Sequence, residues 1–115
     1  MKRLREQRTL TKEEKKLLKT CSQLLKAFDP SAKIILYGSR ARGDAQPDSD
    51  YDVLILTEKE ATLQKEDDFR GQIYPLELET GAVITVMLYN QQTWESPLYQ
   101  AMPFHQNVER DGVTL

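Results

Sequence analysis

Six residues within the stretch IILYGSRARGDAQPDSDYDVLIL have the types and spacing to handle a phosphorylated substrate: Gly38, Ser39, Arg40, Arg42, Asp50 and Asp52. Asp50 and Asp52 are separated by one residue, so in a strand their carboxylates point to the same face. Two adjacent carboxylates repel unless a cation lies between them, and hard oxygen ligands of this kind suit a magnesium ion that also holds substrate phosphates. Upstream, Gly38 permits a sharp turn and leaves room for a ligand to approach the backbone. Ser39 reads as the N-cap of a short helical segment that carries Arg40 and Arg42 and ends at Gly43. A helix start with unpaired N–H groups, a hydroxyl and two guanidiniums is a receptor for phosphate. Such a cradle beside a metal-binding pair is the minimum equipment for phosphoryl or nucleotidyl transfer. Gly38, Ser39, Arg40 and Arg42 are therefore candidate nucleotide-binding residues, and Asp50 and Asp52 candidate catalytic and metal-binding residues.

The elements that must position these groups can be traced along the chain. Ile34 to Tyr37 is a β-branched and aromatic run of strand length, and Val53 to Leu56 anchors the second strand in a core. Between them DAQPDS, Asp44 to Ser49, is a polar loop expected to rim the pocket. Ahead of both strands, Thr11 with Glu14 reads as a capping box. Leu17, Leu18, Cys21, Leu24, Leu25 and Phe28 then form one stripe of an amphipathic helix, with Lys12, Lys15, Lys16, Lys19 and Lys26 facing water. Asp29-Pro30-Ser31 ends it. Met1 to Leu10 is basic and polar, a frayed or short helical lead-in. A second helix is expected from Glu58, burying Ala61, Phe69, Ile73 and Leu76, with Pro75 as an obstacle and Gly81 as a stop. Ala82 to Tyr89 reads as a third strand and Asn90 to Thr93 as a turn. Trp94 either packs a helix against the sheet edge or stacks on a nucleobase. Ser96-Pro97 opens a short helix, which Pro103 interrupts, and Asn107 to Leu115 closes the domain.

Other site chemistries are excluded. A P-loop needs Gly-Lys followed by Ser or Thr, which this turn lacks. Asp48, Asp50 and Asp52 imitate the opening of an EF-hand loop, but Val53 stands where that loop needs Gly and Lys59 where it needs Glu. The dinucleotide fingerprint is absent. Cys21, the single cysteine, falls on the apolar side of the first helix as a buried thiol, and the single histidine, His105, is too distant in sequence to mark a thiol–imidazole pair. A length of 115 residues corresponds to one domain, and 39% hydrophobic with 30% charged residues is the composition of a globular protein in water. No apolar run is long enough to span a membrane, and MKRLREQR has no apolar segment behind it as a secretory signal would, so a cytoplasmic location is expected. The net charge of −2 conceals an asymmetry: Met1 to Gly43 carries 12 Lys or Arg against 4 Asp or Glu, and Asp44 onward carries 4 against 14. A solvated helix face and an acidic metal site account for it; an acidic partner or a nucleic acid is the other reading, and no interleaved aromatics mark a nucleic-acid platform.

The arrangement Gly38-Ser39, then Asp44, then Asp50-x-Asp52 resembles the signature of polymerase-beta-like nucleotidyltransferases. The fuller string GSRARG…SDYD resembles the minimal nucleotidyltransferase branch, small prokaryotic proteins often paired with a HEPN-domain protein as toxin and antitoxin. The resemblance implies an α+β fold, a small mixed sheet flanked by helices, with the second helix running past Pro75 to about Glu79. It further implies transfer of a nucleoside monophosphate from a nucleoside triphosphate such as ATP to an acceptor hydroxyl, with Mg2+, the acceptor being supplied by a partner protein. The chain departs from the family in one respect. Members usually carry a third acidic residue on the strand after the second helix, whereas AVITVMLY contains none and Thr85 stands near the expected position. A catalytically weak or inactive antitoxin that acts by binding a HEPN-type toxin is the alternative.

Overall fold

The first helix, α1 (Lys12–Phe28), begins with the capping box read from the sequence. The Thr11 hydroxyl accepts from the Glu14 amide at 3.1 Å, and the Glu14 carboxylate accepts from the Thr11 amide at 3.0 Å. The computed structural model describes residues 1–115, and α1 leads directly into its sheet. The strands are β1 (Lys2–Arg3), β2 (Lys33–Tyr37), β3 (Tyr51–Thr57), β4 (Ile84–Asn90) and β5 (Val113–Thr114), in the spatial order β1-β5-β2-β3-β4. β2 runs antiparallel to β3 and β5; β3 runs parallel to β4, and β1 parallel to β5. The helices α2 (Gly38–Arg42), α3 (Leu63–Thr80), α4 (Gln91–Trp94), α5 (Pro97–Gln100) and α6 (Pro103–Asp111) complete the chain. This is the expected α+β architecture with a small mixed sheet flanked by helices.

The pleat sorts the strand residues between two apolar clusters. Ile34, Leu36, Val53, Ile55, Ile84, Val86 and Leu88 pack with Leu18, Cys21, Leu25, Phe69, Ile73 and Leu76 of α1 and α3. Ile35, Leu54 and Leu56 face the other way, onto Trp94 and Val108 with Tyr37, Met87, Tyr89 and Phe104. β3 is covered on both faces, which is why VLIL is apolar throughout rather than alternating. Burial, assisted by Glu77, pushes the Cys21 thiol up to about 12, so it stays protonated and serves as core packing.

Four expectations are corrected. Met1 to Leu10 is not frayed: the short helical alternative holds only as one 3-10 turn, Leu4–Glu6, and around it β1 pairs with β5, Gln7 and Leu10 are buried, and the Gln7 amide donates to the Ala41 carbonyl. The second helix begins at Leu63 rather than Glu58, because the Thr62 hydroxyl accepts from the Lys65 amide as N-cap; Ala61 is then outside it and exposed. Pro103 opens α6 as its first helical residue rather than merely interrupting a helix. Residues 91–94 form the single turn α4, capped by the Asn90 side chain on the amides of Gln92 and Thr93. α3 does continue through Pro75 to Thr80. Proline removes one helical N–H and crowds the carbonyl four residues earlier, which belongs to Gly71. Both Pro75 and Gly71 are solvent-exposed, so water satisfies the freed carbonyl.

Asp29, the C-cap of α1, ties the far end of the sheet together and is 0% exposed. It accepts from the Thr57 hydroxyl at 2.6 Å and from the Ser31 hydroxyl at 2.8 Å and amide at 3.0 Å, and lies 3.5 Å from the Lys65 ammonium. Burial alone would raise its pKa; the Thr57 and Ser31 hydrogen bonds and the Lys65 charge outweigh it and bring it down to about 2. Its contribution to stability is therefore complete above the ordinary carboxylate value and is lost as pH falls from about 4 through about 2. Asp29→Ala, which strands the buried partners, should lower unfolding free energy at neutral pH by on the order of 3 kcal/mol and flatten acid destabilisation in that window, measured by urea unfolding across pH.

Candidate functional site

The antiparallel register of β2 and β3 builds the site. Tyr37, the last residue of β2, is opposite Asp52, the second residue of β3. The chain leaves β2 at Gly38 with φ +74, a left-handed conformation that side chains rarely adopt. A Cβ at Gly38 would collide with Oδ2 of Asp52 and come within 3.3 Å of its Cγ. The carboxylate is thus seated directly on the glycine bend, on the face that carries Leu54 and Leu56 rather than the face covered by α1 and α3. Asp50 is not in the strand that was expected to carry both acids: it lies one residue before β3, in the loop, and is exposed, whereas Asp52 is in β3 and half-buried. Neither enters an ion pair within the chain.

The residues of the bend differ in how free they are. α2 starts at Gly38, not after a Ser39 N-cap: Tyr37 occupies the cap position and no side chain caps the helix. Ser39 is then a residue of the first turn with its hydroxyl free of a capping role, while its carbonyl accepts from the Gly43 and Asp44 amides. Gly43 ends α2 at φ +86, as its place after Arg42 predicts. Arg42 is 45% exposed and bonded to Asp44 at 3.2 Å, an open surface pair that a phosphate can displace. Asp111 at the end of α6 is held below the usual carboxylate range by hydrogen bonds and charge from Arg110, with a further contribution from the Arg42 charge.

Arg40 does something other than the phosphate binding expected of it. Its side chain is 11% exposed and bonds Glu14 at 3.0 Å, the Pro47 carbonyl at 3.1 Å and the Ser49 carbonyl at 2.7 and 3.2 Å. The guanidinium also lies 4.3 Å over the Tyr51 ring. It is a positioning residue that fixes the loop immediately before Asp50 to α1. Glu14, which the sequence reading assigned only to the capping box, is its anchor. A guanidinium between a glycine bend and a polar loop suits a phosphate and backbone carbonyls equally well in sequence, so nothing local distinguished the two roles.

Two more groups complete the surroundings of Asp52. Thr85 on β4 is the register partner of Asp52 and donates its hydroxyl to Oδ1 at 2.7 Å. Thr85 therefore occupies the place beside Asp52 where a third acid would stand, and no cluster of three or more potential ligating side chains occurs. Tyr37, missed as a site residue though strand parity puts it beside Asp52, packs edge-on to Phe104 with ring centroids 5.2 Å apart. Burial, with smaller contributions from Asp52 and Tyr89, pushes its phenol up to about 12, so it remains a neutral hydroxyl. Trp94 is buried and stacks on His105 at 4.4 Å, which settles it as a packing residue and gives His105 a structural place. Glu77, in the last turn of α3, accepts from the Ile84 amide at 2.9 Å and so ties the end of that helix to the start of β4.

The donor set fits one magnesium ion. Such an ion uses one or two carboxylates and completes its shell with water and substrate phosphates, which the pair Asp50 and Asp52 beside the Gly38–Ser39 bend allows. The carboxylate pressed against Gly38 leaves no space for a side chain at that bend.

Residues 14–107 match the family model described as nucleotidyltransferase domain. No curated protein matches the chain. No helix is long and apolar enough to cross a membrane.

Gly81 provides a control for Gly38, since it too has positive φ (+75) but open space around its Cα. Gly81→Ala should cost about 1 kcal/mol and leave transfer activity intact, whereas Gly38→Ala should displace Asp52 and reduce activity on the order of a hundredfold. Melting curves and initial rates separate the two. Arg40→Gln should destabilise the chain by about 2 kcal/mol, through loss of several charge-assisted bonds. Arg42→Gln should leave stability within about 0.5 kcal/mol and raise the KM for nucleotide.

Proposed function

Because the chain belongs to the nucleotidyltransferase domain family, whose reaction is transfer of a nucleoside monophosphate from a nucleoside triphosphate, we propose that Gly38, Ser39, Asp50 and Asp52 form its working site. The reading rests most heavily on one observation: the Asp52 carboxylate seated on the Gly38 bend. The triphosphate, for which ATP is the first candidate, lies with its phosphates along the start of α2, contacted by the Gly38 and Ser39 amides and the Ser39 hydroxyl and neutralised by Arg42. Asp50 and Asp52 hold Mg2+, which when bound offsets charge on the phosphates. An acceptor hydroxyl forms its bond to the α-phosphorus as the bond to pyrophosphate breaks, and the acceptor proton passes to water. Tyr37 borders the site as a neutral hydroxyl.

Thr85 sets the expected rate. A threonine hydroxyl bonded to Asp52 cannot take a proton from the acceptor, and general-base assistance is typically worth 10²- to 10⁴-fold. Turnover is accordingly slow, and the acceptor must be delivered in a reactive position. The resemblance to the minimal nucleotidyltransferase branch makes a hydroxyl on a HEPN-type partner protein the preferred acceptor. The same threonine favours a second reading, in which the chain is an antitoxin that neutralises such a partner by binding, with little or no catalysis.

Incubation of the chain with α-labelled ATP, Mg2+ and a HEPN-type partner should transfer label to the partner. Asp50→Asn with Asp52→Asn should abolish transfer, and Thr85→Asp should raise its rate at least tenfold. Label transfer that survives the double substitution contradicts the assignment. A double variant that still neutralises the partner, from a wild-type chain that transfers no label, establishes the binding reading instead.

A further inference from the structure

The structure gathers cations that the sequence only shows to be numerous. Of the four carboxylates between Met1 and Gly43, Glu14 is paired with Arg40 and Asp29 is buried in its own network, which leaves Glu6 and Glu13 exposed. Against them, Arg3 and Arg5 on one side and Lys15, Lys16 and Lys19 of α1 on the other line a groove of about 580 Å³. Lys15 reaches the Arg5 carbonyl at 3.5 Å, linking the two walls. Lys12, Lys16 and Lys19 follow one another at helical spacing on the exposed side of α1, opposite Leu18, Cys21 and Leu25, and span about 10 Å of helix axis. None of Arg3, Arg5, Lys12, Lys15, Lys16 and Lys19 has a carboxylate partner.

We propose that this groove and the adjoining lysine face of α1 dock the phosphate backbone of a double-helical nucleic acid. Charge complementarity selects a polyanion, and the residue types decide which. Protein interfaces are poor in lysine and draw their affinity from aromatic and arginine anchors in apolar pockets. The face has five lysines and arginines around the groove and no aromatic side chain, and Met1 is the sole large exposed apolar residue in this part of the chain. A single-stranded ligand would need aromatic platforms for its bases. A membrane-surface helix would need bulky apolar residues beside its lysines, whereas those of α1 are turned into the core. A row of flexible ammonium groups matches the regular phosphates of a duplex without reading its bases. The docking is independent of nucleotidyl transfer.

Fluorescence anisotropy with labelled 20-base-pair RNA and DNA duplexes, titrated from 50 to 200 mM salt, tests the proposal. Saturable binding that weakens steeply with salt is expected. Lys12→Gln with Lys16→Gln and Lys19→Gln should weaken it at least tenfold and reduce the slope of log affinity against log salt by about 3. Arg3→Gln with Arg5→Gln alters the opposite wall and should also weaken binding, with melting curves confirming that both variants are folded. Absence of saturable binding at 50 mM salt, binding unchanged in both variants, or tighter binding to single strands, phosphatidylserine vesicles or polyglutamate would overturn it.

Discussion

The pairing of Tyr37 with Asp52 across β2 and β3 fixes the distance between the bend that follows one strand and the acid that begins the other. Because these strands are antiparallel neighbours, the end of β2 and the start of β3 meet at one end of the sheet, and Gly38 comes to rest against the Asp52 carboxylate. A side chain at position 38 would separate them. The parallel pairing of β3 with β4 then brings Thr85 beside the same carboxylate, so two neighbouring strands determine both what the site has and what it lacks.

The surrounding structure holds that arrangement from two sides. Arg40 bonds the carbonyls of Pro47 and Ser49 and the carboxylate of Glu14, so the approach to Asp50 is attached to the first turn of α1. Glu14 both caps α1 and receives Arg40, and loosening either interaction would weaken the other. Below the site, β3 is buried on both faces, and its register cannot slip without exposing an entire apolar set. The site's precision is therefore a property of the core rather than of the loop. At the opposite end of β3, the Asp29–Thr57 bond secures the strand independently of any ligand.

The sequence made legible those features that depend on local chemistry. Thr11 with Glu14 and Ser96-Pro97 begin helices, and Gly43 and Gly81 end them, where their side chains or conformational freedom predict. Apolar, β-branched runs located β2, β3 and β4, and the missing acid opposite Asp52 could be read from AVITVMLY. Features that depend on distant partners were not legible. β1 and β5 are two residues each, too short for any periodicity, and exist because β5 pairs with β2 and β1 pairs with β5. The inward commitment of Arg40 depends on Glu14, 26 positions away. Helix α3 survives Pro75 because Gly71 and the proline both face water, a fact of packing rather than propensity.

The central claim, that one divalent ion held by Asp50 and Asp52 bridges to phosphates cupped at Gly38 and Ser39, is tested most directly by a crystal structure with Mn2+ and a non-hydrolysable ATP analogue, using anomalous scattering to locate the metal. The account predicts a Mn2+ ion coordinated by both carboxylates and by phosphate oxygens that also contact the Gly38 and Ser39 amides. A triphosphate bound away from that bend, or a metal ligated by neither aspartate, would contradict it.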